Sequence, residues 1–471
     1  MKATRHGEEG RKLSCKENYP PKVSVEPRGY AGAPDCGKMD ENNATNTGNQ
    51  RGELLERILS RENLNMAYKK VKANKGAGGV DGMQVEELLS YLKQYGEELT
   101  QQVREGKYKP NPVRRVEIPK EEKGKVRKLG IPTVVDRVIQ QAIAQVLSPI
   151  FEEQFHENSY GFRPNRGAHD ALKQCRQNIE EGYDYVVDMD LEKFFDTVCQ
   201  SKLIEVLSRT IKDGSVISLI NKYLNSGVVE HGMFVRTDVG VPQGGPLSPL
   251  LSNIMLNELD WELSRRGHRF VRYADDCMIF CKSKRAAERT LENIIPFIEG
   301  KLFLKVNREK TEATYIGDVK FLGYGFWCYK EKFRLIVHPK SVEKMKARIR
   351  QLTSRSNGWG NEYRAAKLAQ FIRGWVNYFS LADMKELLDK TDKWLRRRIR
   401  AIYWKQWKRV KTRYSMIEKY GISERRICQM ANCRKGSWCA ALMLNTVLTK
   451  KEIASQGFMT MTDYYLKICV N

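Results

Sequence analysis

The segment FVRYADDCMIF, residues 270–280, places two adjacent aspartates inside a run that otherwise has the composition of a buried β-strand. Apolar residues lie on both sides of Asp275 and Asp276, which predicts two short strands that meet at the aspartates. Burying one unpaired carboxylate is costly, and two adjacent carboxylates repel each other. The pair is therefore either a solvated hairpin turn or a site that holds cations.

A second acidic segment, VVDMD at residues 186–190, has the pattern of a buried strand that ends in aspartates. If this strand lies beside the 270–280 hairpin, Asp190 and Asp275 face each other, and such a cluster is tolerated only around divalent cations. Carboxylate oxygens favour Mg²⁺, and two ions about 4 Å apart are what in-line phosphoryl transfer needs. The alternative is an exposed turn at Asp275 and Asp276 and a helix cap at Asp190.

The chain carries 82 Lys and Arg against 57 Asp and Glu, and this net charge of +25 predicts an extended polyanion as a partner. Nucleic acid is the first candidate, and an anionic membrane surface is the second. Residues 341–471 alone hold 28 Lys and Arg against 10 Asp and Glu. No apolar run approaches the roughly 18 residues of a membrane span, and the start of the chain lacks the apolar core of a signal peptide. We therefore expect a soluble, intracellular protein.

Composition and periodicity divide the chain into four predicted parts. These are a disordered leader (1–50), an N-terminal part of short helices around the glycine-rich loop NKGAGGVDGM (51–110), a mixed α+β region (111–330) and a basic all-helical region from residue 341 on. The eleven cysteines are scattered without a Cys-x-x-Cys pair, which argues against a disulfide framework and predicts reduced thiols.

The order of several motifs makes the chain resemble reverse transcriptases. VVDMDLEKFFDTV, PQGGPLSPLLSNIML, RYADDCMIF, LKVNREKT and FLGYGF are similar to the palm motifs, and RRVEIPK with VRKLGIP is similar to the fingers motifs before them. With SYGFRPNRGAHDAL (159–172) and FIRGWVNYF (371–379), the chain resembles bacterial group II intron-encoded reverse transcriptase/maturases of the compact type without an endonuclease. The resemblance runs from about Leu54 to the end and implies an α+β right-hand polymerase with an antiparallel palm sheet. A basic helical thumb/maturase domain (341–420) and a DNA-binding region (421–471) follow.

The resemblance also implies roles for the acidic residues. Asp190 and Asp275 are expected to bind both Mg²⁺ ions, and Asp276 supports them from a weaker contact, so that the three form the catalytic site. Whether Asp188 also binds metal stays open. In the fingers hairpin, Lys120 and Arg127 are expected to contact the nucleotide triphosphate, although ordinary surface charge on a β-hairpin is an alternative for both.

Phe195 stands five residues after Asp190, where similar reverse transcriptases place an aromatic ring under the sugar. A bulky ring there clashes with a 2′-hydroxyl, so that the resemblance favours DNA synthesis over RNA synthesis. Phe194 is adjacent, and either ring could instead belong to the core.

Residues of two further segments complete the nucleotide-binding residues that the resemblance implies. Gln243 and Gly244, with Gly245 after them, match the segment that packs on template and nucleotide, and the alternative is a plain tight turn. Lys305 and Lys310 are candidates for contacts to the phosphates.

The segment 392–414 is predicted to be a helix with two distinct faces. Its apolar face holds Leu395, Ile399 and Ile402. The other face, with Arg396, Arg400, Trp404 and Trp407, is expected to offer cations and stacking rings to nucleic acid, and Lys405 outside this face is the fifth candidate. The alternative is a solvated charged face with both tryptophans in a second core.

The leading functional hypothesis is an RNA-directed DNA polymerase that also assists splicing and retrohoming of its own intron. Its expected cofactor is Mg²⁺, and its expected partners are group II intron RNA, an RNA template with a DNA primer, target DNA and dNTPs, with no membrane partner. The expected location is the bacterial cytoplasm, at the nucleoid when on DNA. The alternatives are a splicing-only maturase and a non-intron reverse transcriptase of the retron or defence type. The sequence leaves the oligomeric state open.

Larger members of the resembled family carry a His-Asn-His nuclease with paired cysteines. Here the histidines end at His338, and the late cysteines are spaced too widely to pair as metal ligands: Cys428, Cys433, Cys439 and Cys469. We therefore expect that the chain does not itself nick duplex DNA.

Overall fold

The structure is a computed structural model that describes residues 52–119, 124, 126–329 and 332–470. The predicted leader (1–50) and Lys120 lie outside the described residues. No helix in these ranges is both long enough and apolar enough to cross a membrane.

The N-terminal part consists of helices packed beside a β-hairpin. Its elements are α1 (Glu53–Leu59), α2 (Arg61–Asn74), α3 (Leu88–Arg104), β1 (Val113–Pro119), β2 (Val126–Ile131) and α4 (Val134–Glu152). Thr133 caps α4 by accepting a hydrogen bond from the backbone nitrogen of Asp136. Helix α4 buries residues on most of its circumference, including Ile139, Ile143 and Leu147. The apolar residues of this segment, among them Val138, Ala142 and Val146, recur with the spacing of an α-helix.

The central part alternates helices with short strands. Its first elements are α5 (Ala168–Glu180), β3 (Tyr185–Met189), α6 (Phe194–Thr197), α7 (Gln200–Thr210), α8 (Gly214–Leu224), β4 (Val228–Glu230) and β5 (Met233–Val235). They are followed by α9 (Ser248–Arg265), β6 (Arg269–Tyr273), β7 (Asp276–Cys281), α10 (Lys284–Gly300), β8 (Glu312–Tyr315), β9 (Lys320–Phe321), β10 (Tyr324–Tyr329) and β11 (Lys332–Val337).

The palm sheet has the strand order β6-β7-β3-β8, and all of its strand pairs are antiparallel. Alternate residues of its strands enter two separate cores. Val187 and Ile279 pack into the core that contains α4, α7 and α9, whereas Val186 and Phe280 pack into the core shared with the C-terminal helices. The sheet is therefore buried on both faces, and its acidic strand ends interrupt an apolar layer.

Two further sheets, one of four strands and one of three, accompany the palm sheet. The fingers hairpin β1-β2 extends through β4 and β5, with β1 parallel to β4, and β9, β10 and β11 form an antiparallel sheet. The sequence interpretation did not include β4, β5 or β11. Strands β4 and β5 are three residues long, which is too short for a period of two to be recognised, and β5 exposes Met233, Phe234 and Val235.

The C-terminal part is helical throughout its described residues, as predicted. It comprises α11 (Pro339–Leu352), α12 (Asn361–Tyr378), α13 (Lys385–Gln406), α14 (Val410–Glu418), α15 (Glu424–Ala431), α16 (Gly436–Met443), α17 (Lys450–Ser455) and α18 (Met461–Val470). Asp392 of α13 accepts hydrogen bonds from the backbone nitrogens of Met461 (3.0 Å) and Thr462 (2.9 Å). The long helix therefore caps the last one, because the carboxylate satisfies free N–H groups at its start.

Candidate active site

The register of the palm sheet brings the two acidic segments together. Asp188 pairs with Met278 and Met189 with Cys277, so the next step of the same register places Asp190 beside Asp276. Asp275 lies in the turn between β6 and β7, after Ala274, whose φ of 58° is left-handed. The hairpin predicted from the sequence is thus present, and the acidic strand is its neighbour.

Burial and mutual repulsion dominate the electrostatics of this carboxylate cluster. Burial raises the pKa of Asp276 to about 7, and the charges of Asp275, Asp188 and Asp190 add to the effect. Burial, with the charges of Asp190 and Glu312, raises the pKa of Asp188 to about 6. Carboxylates whose ionisation is opposed in this way are stabilised by added positive charge.

The chemistry of these donors fits divalent cations that also bind substrate. Among the described residues, no three Asp, Glu, His or Cys side chains form a complete ligand group by themselves. Mg²⁺ does not require one, since it keeps several waters and takes substrate phosphate oxygens as ligands beside one or two carboxylates. Asp190 and Asp275 are suited to such a partial ligand set.

The LKVNREKT segment fixes Asp190. Asn307 Nδ2 donates to Asp190 Oδ2 at 2.8 Å, and the backbone nitrogen of Asn307 donates to the Asp190 carbonyl at 2.9 Å. Thr311 Oγ1 accepts from the Asp190 nitrogen and donates to its carbonyl. Lys310 Nζ lies 3.6 Å from Asp190 Oδ2, whereas Lys305 is exposed and its carbonyl accepts from the nitrogen of Glu192.

Sequence reasoning missed Asn307 and Thr311, although it quoted the motif that contains them. Only the lysines of that motif were considered, because cations have an obvious use near phosphates. The sequence did offer a signal for them. Asn307 and Thr311 are short polar residues four positions apart, one on each side of Lys310, and they directly precede strand β8.

The two phenylalanines after the acidic strand have different surroundings. Phe194 is 2% exposed and belongs to the core, whereas Phe195 is half-buried. Their rings meet edge to face with centroids 5.2 Å apart. The backbone nitrogen of Val241 donates to the Phe195 carbonyl at 2.6 Å, which ties this turn to the loop before the PQGG segment. Phe195 is therefore the ring of the two that a nucleotide could reach.

The PQGG segment joins the palm to the fingers. Gly130 of β2 donates its backbone N–H to the Gln243 carbonyl at 2.6 Å. Gly244 has a φ of 115°, and a Cβ there would lie 2.4 Å from the Gly130 carbonyl oxygen. A Cβ at Gly245 would lie 2.3 Å from Gln140 Oε1. Gly244 is thus required by its positive φ and by close packing on backbone, whereas a Cβ at Gly245 would require the Gln140 side chain to move.

The fingers hairpin brings positive charge to the carboxylates. Burial raises the pKa of the Asp275 carboxyl, and the positive charge of Arg127 opposes this effect. Arg127 is exposed, so that its guanidinium is accessible to a bound triphosphate.

The sequence predicted an exposed Arg/Trp face on the segment 392–414. Three of the five candidate residues named for that segment are buried, so the prediction is wrong for these three. Arg400, Trp404 and Trp407 are each 5% exposed. Arg400 Nε donates to the Leu448 carbonyl at 2.8 Å, and the Arg413 guanidinium lies 4.0 Å from the centre of the Trp404 ring. The reason is that α13 is covered on two sides, because the helices that follow fold back onto its second face. Lys405 remains exposed and Arg396 half-buried.

A different group of residues in the C-terminal part combines cations with an accessible ring. The Arg397 guanidinium lies 4.1 Å from the centre of the Trp438 ring and donates to the Trp438 carbonyl. Trp438 is 41% exposed, and Arg355 donates to the hydroxyl of the preceding Ser437. Arg434 and Lys435 are exposed in the same loop.

Comparison with known proteins finds two family matches. Residues 118–326 match "Reverse transcriptase (RNA-dependent DNA polymerase)", and residues 342–421 match "Group II intron, maturase-specific domain". The two matches cover the palm with part of the fingers and the first helices of the C-terminal part.

Curated proteins from bacteria and yeast are similar to this chain. Protein YkfC of Escherichia coli is 35% identical over 312 residues, which cover 58% of this chain and 82% of the relative. The group II intron-encoded protein LtrA of Lactococcus lactis is 30% identical over 352 residues, which cover 61% of this chain and 58% of LtrA. A putative COX1/OXI3 intron 2 protein of Saccharomyces cerevisiae is 28% identical over 352 residues, which cover 62% of this chain and 40% of that protein. The chain thus spans little more than half the length of LtrA.

From the two domain matches and these relatives, we conclude that this chain belongs to the family of group II intron-encoded reverse transcriptase/maturases, which are RNA-directed DNA polymerases with a role in intron splicing.

Proposed function

We propose that DNA synthesis by this protein takes place at the end of the palm sheet, where Asp190 and Asp275 hold two Mg²⁺ ions and Asp276 supports them. The observation that carries this proposal is the β3–β7 register, which places the two acidic segments side by side in an otherwise apolar layer. When bound, the two ions supply the charge that activates a primer 3′-hydroxyl and neutralises the departing pyrophosphate.

The protein's own residues orient the reactants. Asn307 and Thr311 hold Asp190 at the end of its strand, so that little reorganisation is needed when substrate binds. Arg127 contacts the triphosphate, and Lys120, the residue that follows Pro119 in the sequence, is proposed to do the same. Phe195 lies against the sugar and excludes a 2′-hydroxyl.

The template-side contacts are assigned to the segments around the palm. Gln243 and Gly244 form the surface on which template and nucleotide pack. Their backbone contacts Gly130 of β2. Lys305 is exposed beside the carboxyl end of β3 and is proposed to contact phosphate.

Intron RNA, the RNA template with its DNA primer, and target DNA are the proposed polyanionic partners of the C-terminal part. Lys405 and Arg396 are accessible on α13, and the stacked pair of Arg397 and Trp438 combines a cation with an exposed ring. Such pairs suit contacts to phosphates and unstacked bases. Buried Arg400, Trp404 and Trp407 are not part of this proposal.

Primer extension tests the polymerase proposal. Purified full-length chain is incubated with an RNA template, an annealed DNA primer, dNTPs and Mg²⁺. Asp275→Asn should abolish extension, and Asp389→Asn, at an exposed aspartate of α13, should extend like the unaltered chain. Extension by Asp275→Asn at the unaltered rate would refute the assignment. Extension by neither the unaltered chain nor the variant would favour the splicing-only alternative.

A further inference from the structure

Arg272 is the most completely buried charged residue next to the catalytic turn. Its side chain and that of Asp260 are both 0% exposed. The guanidinium Nε donates to Asp260 Oδ1 at 2.7 Å, and Nη2 donates to Asp260 Oδ2 at 2.5 Å. This bidentate pair joins strand β6 to helix α9.

The remaining donors of the same guanidinium reach three other parts of the chain. Nη2 donates to Ser159 Oγ at 2.7 Å, and Nη1 donates to Asn253 Oδ1 at 3.0 Å and to the Ala274 carbonyl at 2.9 Å. Arginine has five N–H donors in a fixed plane, and all five are used here. Lysine has three donors and no plane, so it cannot make this set of bonds.

The Ala274 carbonyl is the contact that connects this network with catalysis. Ala274 is the left-handed residue of the YADD turn, and Asp275 follows it directly. Non-glycine residues adopt this conformation only when their surroundings hold them there. The hydrogen bond from Arg272 supplies part of that restraint.

The SYGFRP segment, residues 159–164, also restrains the YADD turn. Arg272 donates its backbone N–H to the Asn158 carbonyl and accepts from the nitrogen of Tyr160, both at 2.9 Å. Asn253 Nδ2 donates to the Gly161 carbonyl at 2.8 Å. A Cβ at Gly161 would lie 2.3 Å from the backbone nitrogen of Ala274, so this segment packs directly on the turn.

We propose that Arg272 is a positioning residue for the polymerase: through the Ala274 carbonyl, and with the SYGFRP segment behind it, it sets the conformation of the turn and hence the place of the Asp275 carboxylate. This inference rests on the proposed metal-binding role of Asp275. A stabilising role alone is a poor account of Arg272, because a fully buried ion pair contributes little net stability compared with apolar packing.

The chain contains a matched control for this proposal. Arg364 of α12 is also buried, at 2% exposure, and donates to the side chains of Asn357 and Asn361 and to the Ser354 carbonyl. None of these described hydrogen bonds reaches the YADD turn or the SYGFRP segment. Arg364→Lys and Arg272→Lys therefore both remove guanidinium hydrogen bonds from a buried site, and of the two sites only that of Arg272 contacts the turn.

The decisive measurement is metal affinity without turnover. Mn²⁺ serves as the probe, and its binding is followed by electron paramagnetic resonance. The full chain is held with an RNA template, a dideoxy-terminated DNA primer and the matching dNTP. Arg272→Lys is expected to weaken Mn²⁺ affinity about tenfold, as loss of a supporting contact behind a metal ligand does. Arg364→Lys should leave Mn²⁺ affinity at the unaltered value, although both variants lower the melting temperature.

Gly161→Ala provides a second variant in case Arg272→Lys does not fold. It keeps every donor of Arg272 and pushes the turn through its added methyl group, and it should also weaken Mn²⁺ binding. If Arg272→Lys and Gly161→Ala bind Mn²⁺ like the unaltered chain while Asp275→Asn does not, the positioning role is wrong and the metal site stands. If Asp275→Asn binds Mn²⁺ like the unaltered chain, the metal site itself is wrong and this inference fails with it.

Discussion

Asn307 donates its side-chain amide to Oδ2 of Asp190 at 2.8 Å, across 117 residues of sequence. The bond leaves the other carboxylate oxygen of Asp190 available to a metal ion and fixes the rotation of the group. Asn307→Ala should therefore lower kcat for primer extension about tenfold, the usual scale for loss of a residue that orients a metal ligand. Arg308→Gln, at the exposed neighbour, is the control. Equal rates in both variants would show that Asp190 needs no orientation by Asn307.

The two proposed activities should separate at the aspartates. In Asp275→Asn combined with Asp276→Asn, cDNA synthesis on a primed RNA should be lost, because the carboxylates serve the polymerase. Protein-assisted splicing of the intron RNA should remain, because the RNA provides its own splicing site. Both activities are measured on the same preparation, with circular dichroism to verify folding. Parallel loss of both in a folded protein would contradict the separation.

Phe195 and Phe194 should give different phenotypes. Phe195→Val opens space beside the sugar and should raise ribonucleotide incorporation relative to deoxyribonucleotide incorporation. Phe194→Val removes buried ring volume and should instead destabilise folding, on the order of 1–3 kcal/mol. Single-nucleotide extension with each substrate measures the first effect and urea unfolding the second. Exchange of the two phenotypes would place the gate at Phe194.

Salt dependence should distinguish exposed from buried cations in the C-terminal part. Removing one phosphate contact lowers the slope of log K against log salt concentration by about 0.7 for a single strand. Lys405→Ala and Arg397→Ala should each reduce the slope for RNA binding. Arg400→Met should leave the slope unchanged and lower thermal stability, because its guanidinium is bonded inside the protein. If the slope for RNA binding changed only in Arg400→Met, Arg400 would contact RNA as the sequence predicted.

His156 should make stability depend on pH. Burial lowers its pKa below 6.5, and in the neutral ring Nδ1 accepts a hydrogen bond from the backbone nitrogen of Asn158 at 3.1 Å. The unfolded chain therefore binds a proton more readily, so stability is present above about pH 6.5 and is lost as pH falls below it. Urea unfolding between pH 7.5 and 5.5 should show a smaller loss for His156→Gln than for the unaltered chain. His231→Gln, at an exposed histidine, should follow the unaltered chain.

Local patterns in the sequence were sufficient for several elements of the polymerase part, although not for β4, β5 or β11. The apolar periodicity of α4, the two halves of the YADD hairpin and the order of the acidic segments all depend on residues close together in the chain. Such patterns indicate which side of an element is buried, provided that the element is long enough for the pattern to repeat. The resemblance to reverse transcriptases rested on the same short segments, and the two family matches agree with it.

Contacts between distant segments were decided by the tertiary structure alone. Asn307 reaches Asp190 across 117 positions, and Arg272 reaches Ser159 across 113, because strand pairing and helix packing bring their backbones together. The second face of α13 shows the same limit: Arg400 and Trp404 have the pattern of an exposed nucleic-acid surface, yet the following helices bury them. A helical projection shows which residues share a face. Whether water, nucleic acid or another helix covers that face depends on where the rest of the chain packs.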